Sequence, residues 1–283
     1  MAKKTPPPVT DEQRVKAFLK HLNENAFSKS PGEKFRDWCE LAYCAWAKPT
    51  APTQERADEL EARYMSIVER YRRTDEELEF IRHSSTHMAA LAQLAVQGGG
   101  VDFLGDVAGQ LEILNPNQGQ FFTPYEVSRF MAEINLDGLE AIIERDGYVT
   151  ICEPAAGAGS MILACADVFE KKGLGPETML VQATDVSALA FYMCFLQLNW
   201  RGIPAAVIRG NTLSLEVFES AWTVAALTTF LPHHGHLSFS KPNREPLLET
   251  NSAPVEVETV VERAIGSEPV VEHEAKLVQL SFF

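Results

Sequence analysis

The 283-residue chain has no run of about 18 apolar residues, so no membrane-spanning helix and no membrane partner are expected. Met1 to Pro8 carries lysines and prolines without an apolar segment, and does not read as a secretory signal. Cysteines are few: Cys39, Cys44, Cys152, Cys165 and Cys194, five in all, with no C-x-x-C spacing. That argues against a disulfide framework and fits reduced thiols in a cytoplasmic protein. Basic residues are also short, 25 Lys and Arg against 39 Asp and Glu, for a net charge of −14. Such a balance disfavours a broad nucleic-acid-coating surface and leaves room only for a local groove. What is plentiful is apolar content, 46% of residues, enough for a real core.

The chain changes grammar along its length. Residues 1–10 read as a disordered tail, and 11–100 as a helical unit. Asp11 caps a first amphipathic run, Phe35 to Ala47 a second, Gln54 to Tyr71 a third, and Thr74 to Val96 a fourth that ends at Gly98-Gly99-Gly100. Residues 101–240 are expected to form the ligand-binding domain. From Tyr148 its pattern alternates: strands at Tyr148–Cys152, Met179–Thr184, Ala205–Arg209 and Val224–Phe230, with helices at Ser160–Lys171, Ser187–Trp200 and Leu213–Ala221. This is α/β grammar. It predicts a truncated doubly wound, mostly parallel sheet with ligands at the carboxyl ends of its strands. Residues 241–283 hold four basic against eight acidic residues and read as an acidic, disordered tail.

Four features fall at strand ends or beside the sheet. Glu153-Pro154-Ala155-Ala156-Gly157-Ala158-Gly159-Ser160 forms a tight strand-to-helix turn, where glycines let backbone approach a ligand. Asp185 follows the second strand, where a carboxylate can accept two ribose hydroxyls, although it can equally cap the next helix. Asn211 follows the third strand and offers an amide to the edge of a purine. Phe122-Thr123-Pro124 opens a helix before the sheet. A nicotinamide cofactor fits poorly, because position 162 is Ile where the third glycine of G-x-G-x-x-G would stand.

Gly119-Gln120-Phe121-Phe122-Thr123-Pro124, followed by the Glu153–Ser160 turn, resembles the adenine-N6 DNA methyltransferases, and among them the modification subunits of type I restriction systems. The resemblance spans roughly residues 75–215. It implies a class I methyltransferase-like fold, S-adenosylmethionine as cofactor and adenine in DNA as target. It places Phe122, Thr123 and Pro124 near the methionine end of the cofactor. It places Glu153, Pro154, Ala155, Gly157 and Gly159 in the cofactor turn, Asp185 on the ribose and Asn211 on the adenine. The family often carries Asp where Asn211 stands.

One part of the family pattern is missing. An Asn-Pro-Pro-Tyr (or Phe) segment normally follows the fourth strand, where two carbonyls accept the protons of the adenine amine and the ring stacks on the flipped base. Here the expected fourth strand ends in Phe230-Leu231-Pro232-His233, and no Pro-Pro occurs after Pro8. Catalytic residues are therefore unassigned. The chain reads as a degenerate methyltransferase, as one in which His233, His234 or His236 replaces the acceptor, as a non-catalytic regulatory protein, or as a subunit completed by a partner that also supplies target recognition. The histidine cluster and the His83/His87 pair lack a converging ligand set, so no metal is expected. The terminal Gln279-Leu280-Ser281-Phe282-Phe283 resembles the short peptide by which bacterial replication and repair proteins dock on the sliding clamp, with Phe282 in place of a leucine.

Overall fold

The computed structural model describes residues 9–24, 28–113 and 123–239. Helices come first: α1 (Asp11–Glu24), α2 (Pro31–Ala47), α3 (Gln54–Glu69) and α4 (Asp75–His83), then one wide π turn (Ser84–Met88) leading into α5 (Ala89–Gln97), and α6 (Phe103–Gln110). Their starts are written locally. Ser30 and Glu33 form a reciprocal capping box on α2, and Thr53 and Thr74 cap α3 and α4. Next come α7 (Tyr125–Asn135) and α8 (Leu139–Asp146), then β1 (Val149–Glu153), α9 (Ser160–Lys171), β2 (Met179–Asp185), α10 (Ala188–Arg201), β3 (Ala205–Asn211) and β4 (Glu216–Trp222). A short α11 (Leu231–His234) is the last regular element among the described residues.

The sheet runs β1-β2-β3-β4, the first three strands parallel and β4 antiparallel. Every residue of α10 from Ala190 to Trp200 is buried. A helix apolar on all sides must be enclosed, and α10 lies between the sheet and helices α2 and α5. One continuous core therefore includes Phe18, Trp38 and Phe103 from the helical region and Ile151, Val181 and Val207 from the sheet. No helix among the described residues is long and apolar enough to cross a membrane.

Two expected elements exchange identity. Leu213–Ala221, read as a helix, is a turn followed by strand β4. Its apolar residues Leu213, Val217, Phe218 and Ala221 mimic a helical period. The hairpin wins because Asn211 Oδ1 accepts the backbone N–H groups of Leu213 and Ser214, closing the turn. Gly210 permits a bulge there, since a Cβ on it would lie 2.5 Å from the Glu216 carbonyl. Conversely, Val224–Phe230, read as the fourth strand, leaves the sheet and turns helical over Ala226–Phe230. Thr223 Oγ1 takes the N–H of Ala205 and donates to the Ile203 carbonyl, while Asn199 Oδ1 takes the N–H of Val224. Those bonds end the ladder and direct the chain outward. Residues 236–239 have no regular structure.

A buried carboxylate ties β4 to the helical region. Glu219 is 7% exposed and bonds to Arg63 at 2.6 Å, to Tyr43 Oη at 2.8 Å and to Arg56. Burial alone would raise its pKa, but the charges of Arg63 and Arg56 outweigh that and hold it below the usual carboxylate value. Glu219→Gln should lower unfolding free energy by about 3 kcal/mol at pH 7, because two half-buried guanidinium groups lose their counter-charge. A carboxylate with a depressed folded pKa contributes stability above its unfolded value, about 4.3, and loses it as pH falls through the folded value. Urea titrations at pH 7 and pH 3 should therefore show a smaller gap between wild type and variant in acid.

Candidate functional site

The glycine turn sits at the carboxyl end of β1, and the sequence dictates its shape. Gly157 and Gly159 both adopt positive φ, 56° and 100°. At Gly159 a side chain would also press on Cys194 of α10, with a Cβ only 3.3 Å from its Sγ. The turn is stitched by Ala156 N to Thr184 O (2.9 Å) and Gly159 N to Ala156 O (2.8 Å).

Two carboxylates occupy the turn. Asp185, at the end of β2, accepts from Gly157 N at 2.9 Å through Oδ2 and from Ser187 N at 2.8 Å through Oδ1. Glu153 is 2% exposed, and its Oε1 accepts from Ala155 N at 3.2 Å. Its Oε2 is buried and accepts nothing among the described residues. Burial raises the pKa of both acids against the backbone bonds that lower them, and the Asp185 charge raises Glu153 further. This has a chemical consequence. The N–H groups of Ala155 and Gly157, which a phosphate would take at a glycine-rich turn, are already held by carboxylates. The turn repels an anion and favours a ligand rich in donors, such as an ammonium group, hydroxyls or an aromatic amine.

Of the remaining expected residues, the structure brings the β3 end to this turn. Thr212, next to Asn211, donates to the Pro154 carbonyl at 2.7 Å, so the β3 end is pinned to the turn. Because Asn211 Oδ1 is taken by the hairpin, its amide nitrogen is the end left to face a ligand. Val186, directly after Asp185, is 61% exposed and adds an apolar surface at the same strand end. Thr123 and Pro124 are exposed at the start of α7, while Phe122 lies outside the described residues, as do Gln279, Leu280, Phe282 and Phe283.

Several positioning residues escape sequence reasoning. Tyr125, the first residue after Pro124, donates its hydroxyl to Asp167 Oδ2 on α9. Gly100 N donates to the same oxygen at 2.7 Å, and Arg201 to Oδ1 at 3.0 Å. Burial and the Asp167 bond push the Tyr125 phenol well above its ordinary pKa. One turn on, Ser128 meets Ser160 at 3.0 Å, the first residue after the glycine turn. Deeper in, Gln197 on α10 donates to the Ala158 carbonyl (2.8 Å) and to Asp102 Oδ1 (2.7 Å). Burial pushes the Asp102 carboxyl up to about 6, although bonds from Gln197 and Gly105 oppose it. A tyrosine or aspartate on a helix carries no signal of such a role until its neighbour from another element is known.

The histidines are placed elsewhere. The His234 ring packs on Tyr148 at 4.6 Å and its Nε2 meets the Glu177 carbonyl. Tyr148 precedes β1, whose five residues separate it by roughly 16 Å from the glycine turn. His233, His234 and His236 thus belong to the amino end of the sheet, which removes them as substitutes for the missing acceptor. Among the described residues no three His, Cys, Asp or Glu side chains converge as a metal site.

The fold is a helical region joined to a four-stranded, mostly parallel sheet, and a glycine turn with two acceptor carboxylates stands at the carboxyl end of β1. The N-6 DNA methylase family matches residues 107–254, just over half of the chain, and the protein belongs to that family, whose methyl donor is S-adenosylmethionine. Among solved structures it is similar to a putative class I S-adenosylmethionine-dependent methyltransferase from Listeria monocytogenes, at 17% identity and a TM-score of 0.32, over 69% of this chain and 52% of that one. It is similar also to a type I restriction-modification methyltransferase subunit from Streptococcus thermophilus, at 15% and 0.36, over 69% and 56%. A third similarity is to DrdV in its DNA complex, at 17% and 0.34, over 68% and 21%. The chain spans about half the length of the first two. No curated protein matches it.

Tyr125→Phe keeps the ring and removes the bond to Asp167. It should leave the melting temperature within a few degrees and weaken S-adenosylmethionine binding several-fold by releasing the Thr123-Pro124 loop, with adenosine binding unchanged. Isothermal titration with both ligands distinguishes this from a general loss of structure, which lowers both affinities.

Proposed function

We propose that the chain binds S-adenosylmethionine at the carboxyl ends of β1 to β3 and does not by itself transfer the methyl group to adenine. The observation that supports binding is the buried Oε2 of Glu153, without a hydrogen-bond partner among the described residues, beside a turn whose Ala155 and Gly157 N–H groups are already satisfied by carboxylates. That set accepts donors, and S-adenosylmethionine presents an ammonium group, two ribose hydroxyls and an adenine amine. In this reading Gly157 and Gly159 give the ligand close access to backbone, Asp185 accepts the ribose hydroxyls with its remaining lone pairs, and Asn211 faces the adenine edge. Phe122, Thr123 and Pro124 flank the methionine end. The bound cofactor supplies an electrophilic methyl group; the chain's own residues bind and orient it.

The inability to transfer rests on the missing acceptor for the adenine amine and on the distance of the histidines from the turn. The protein then acts as a cofactor-binding, adenine-methyltransferase-like component of a restriction–modification or DNA-maintenance system, with DNA as the site of action. The peptide Gln279, Leu280, Phe282 and Phe283 would dock on the sliding clamp and tether the acidic chain near DNA without a basic surface of its own. One observation favours a second reading, in which another chain completes the enzyme. Among the described residues no strand pairs with the outer edge of β1, yet Val149, Thr150 and Ile151 are buried as in an interior strand.

Calorimetry with S-adenosylmethionine should show saturable binding that Asp185→Ala weakens by about 1–3 kcal/mol; absence of heat at high cofactor concentration would sink the reading. Labelled methyl should not enter unmethylated DNA with the chain alone, and incorporation restored by cell extract would select the two-chain enzyme. Truncation after Lys276 should abolish binding to purified clamp in a pull-down, and a clamp that ignores the full chain removes the tether.

A further inference from the structure

Helix α7 has two apolar faces, and among the described residues nothing covers one of them. Tyr125, Ser128, Ala132 and Leu136, spaced three and four apart, turn inward, and the helix packs on α9. Val127, Phe130 and Ile134 lie about half a turn away and are 46%, 64% and 60% exposed. A surface helix normally carries polar residues on that side. Here three large apolar side chains at i, i+3 and i+7 form a stripe of about 10 Å, the spacing by which helices anchor on one another.

Charge identifies the occupant. From Tyr125 to Gly147 the chain holds six carboxylates (Glu126, Glu133, Asp137, Glu140, Glu144, Asp146) against Arg129 and Arg145, and Lys171 and Lys172 from the end of α9 pair with Glu133 and Glu140, which still leaves an acidic excess. Glu126 and Glu133 flank the stripe on one side. Their partners are surface cations, Arg129 at 2.8 Å and Lys171 at 3.1 Å, in exposed pairs that exchange at little cost. A DNA backbone or an anionic bilayer would be repelled. A second copy fits badly. Two α7 helices packed antiparallel about a two-fold axis set Glu126 of one beside Glu133 of the other, and packed parallel they set this flank against Met131 and Asn135, which carry no charge.

We propose that the outer face of α7 docks an amphipathic helix of a partner protein, with apolar anchors and a lysine- or arginine-rich rim. The stripe begins two residues after Tyr125, so a helix seated on it lies beside the Thr123-Pro124 loop. The inference does not depend on cofactor binding.

The test uses the full chain and a fluorescein-labelled synthetic helix of about 18 residues, long enough to fold, with leucines at i, i+3 and i+7 and lysines on the rim. Anisotropy should show saturable binding, and a twin with glutamates on the rim should bind roughly tenfold more weakly or worse. Phe130→Asp, at a position too exposed to unfold the protein, should lose roughly tenfold or more, and Ile134→Asp should repeat the effect. Glu126→Lys with Glu133→Lys should reverse the preference between the two peptides. No binding, equal binding of both peptides, or an unaffected Phe130→Asp with an unchanged melting temperature overturns the proposal. So does a wild-type dimer in sedimentation that Phe130→Asp dissociates, since the face would then belong to a second copy.

Discussion

The enclosure of α10 is the constraint on which the other arrangements depend. Eleven consecutive residues, Ala190 to Trp200, are buried, so this helix can exist only between two layers. The sheet provides one layer and α2 with α5 the other. The helical region is therefore part of the same core as the sheet rather than an attachment to it. It also explains why a polar residue is tolerated at the centre of α10. Gln197 is fully buried and uses both ends of its amide, taking the N–H of Leu104 and donating to Asp102 and Ala158. Through one side chain the helix connects the start of α6 to the glycine turn.

The site follows the same logic of satisfied and unsatisfied groups. A glycine turn followed by a helix is a general anion site. Placing Glu153 and Asp185 on its N–H groups converts it into an acceptor site, and burial raises the pKa of both acids. Meanwhile Thr212 and Ser128 fix the two flanks of the turn from β3 and α7. Asp167 of α9 holds α7, the Gly100 turn and α10 together behind this turn.

Much of this was legible in the chain. The start of α4 at Thr74 follows from its capping pattern, whereas α2 begins at Pro31, ahead of the Phe35 that its aromatic run suggests, because the Ser30 and Glu33 capping box extends it. Strands β1 to β3 and helices α9 and α10 follow from short apolar runs separated by turn residues. The turn, Asp185 and Asn211 stand at the carboxyl ends of β1 to β3, as the strand pattern predicts. The exchange of helix and strand over 213–230 was not legible. Both segments are short apolar runs that fit either period, and the decision rests on Thr223, Asn199 and Asn211 bonding to partners or turns that periodicity does not reveal. The histidines at 233–236 were expected at the catalytic end of a strand. They lie at the opposite end of the sheet because that strand does not form.

The sequence by itself determined the family, the glycine turn and the absence of an Asn-Pro-Pro-Tyr acceptor, since each is a matter of which residues stand in which order. Only the tertiary structure decided the last strand's direction, the position of the histidines, the roles of Tyr125, Asp167 and Gln197, and the bare face of α7. Each of these depends on a group from a distant segment meeting, or failing to meet, its complement. A hydrogen-bond partner 32 to 95 residues away is chosen by packing around α10, and no local propensity specifies it.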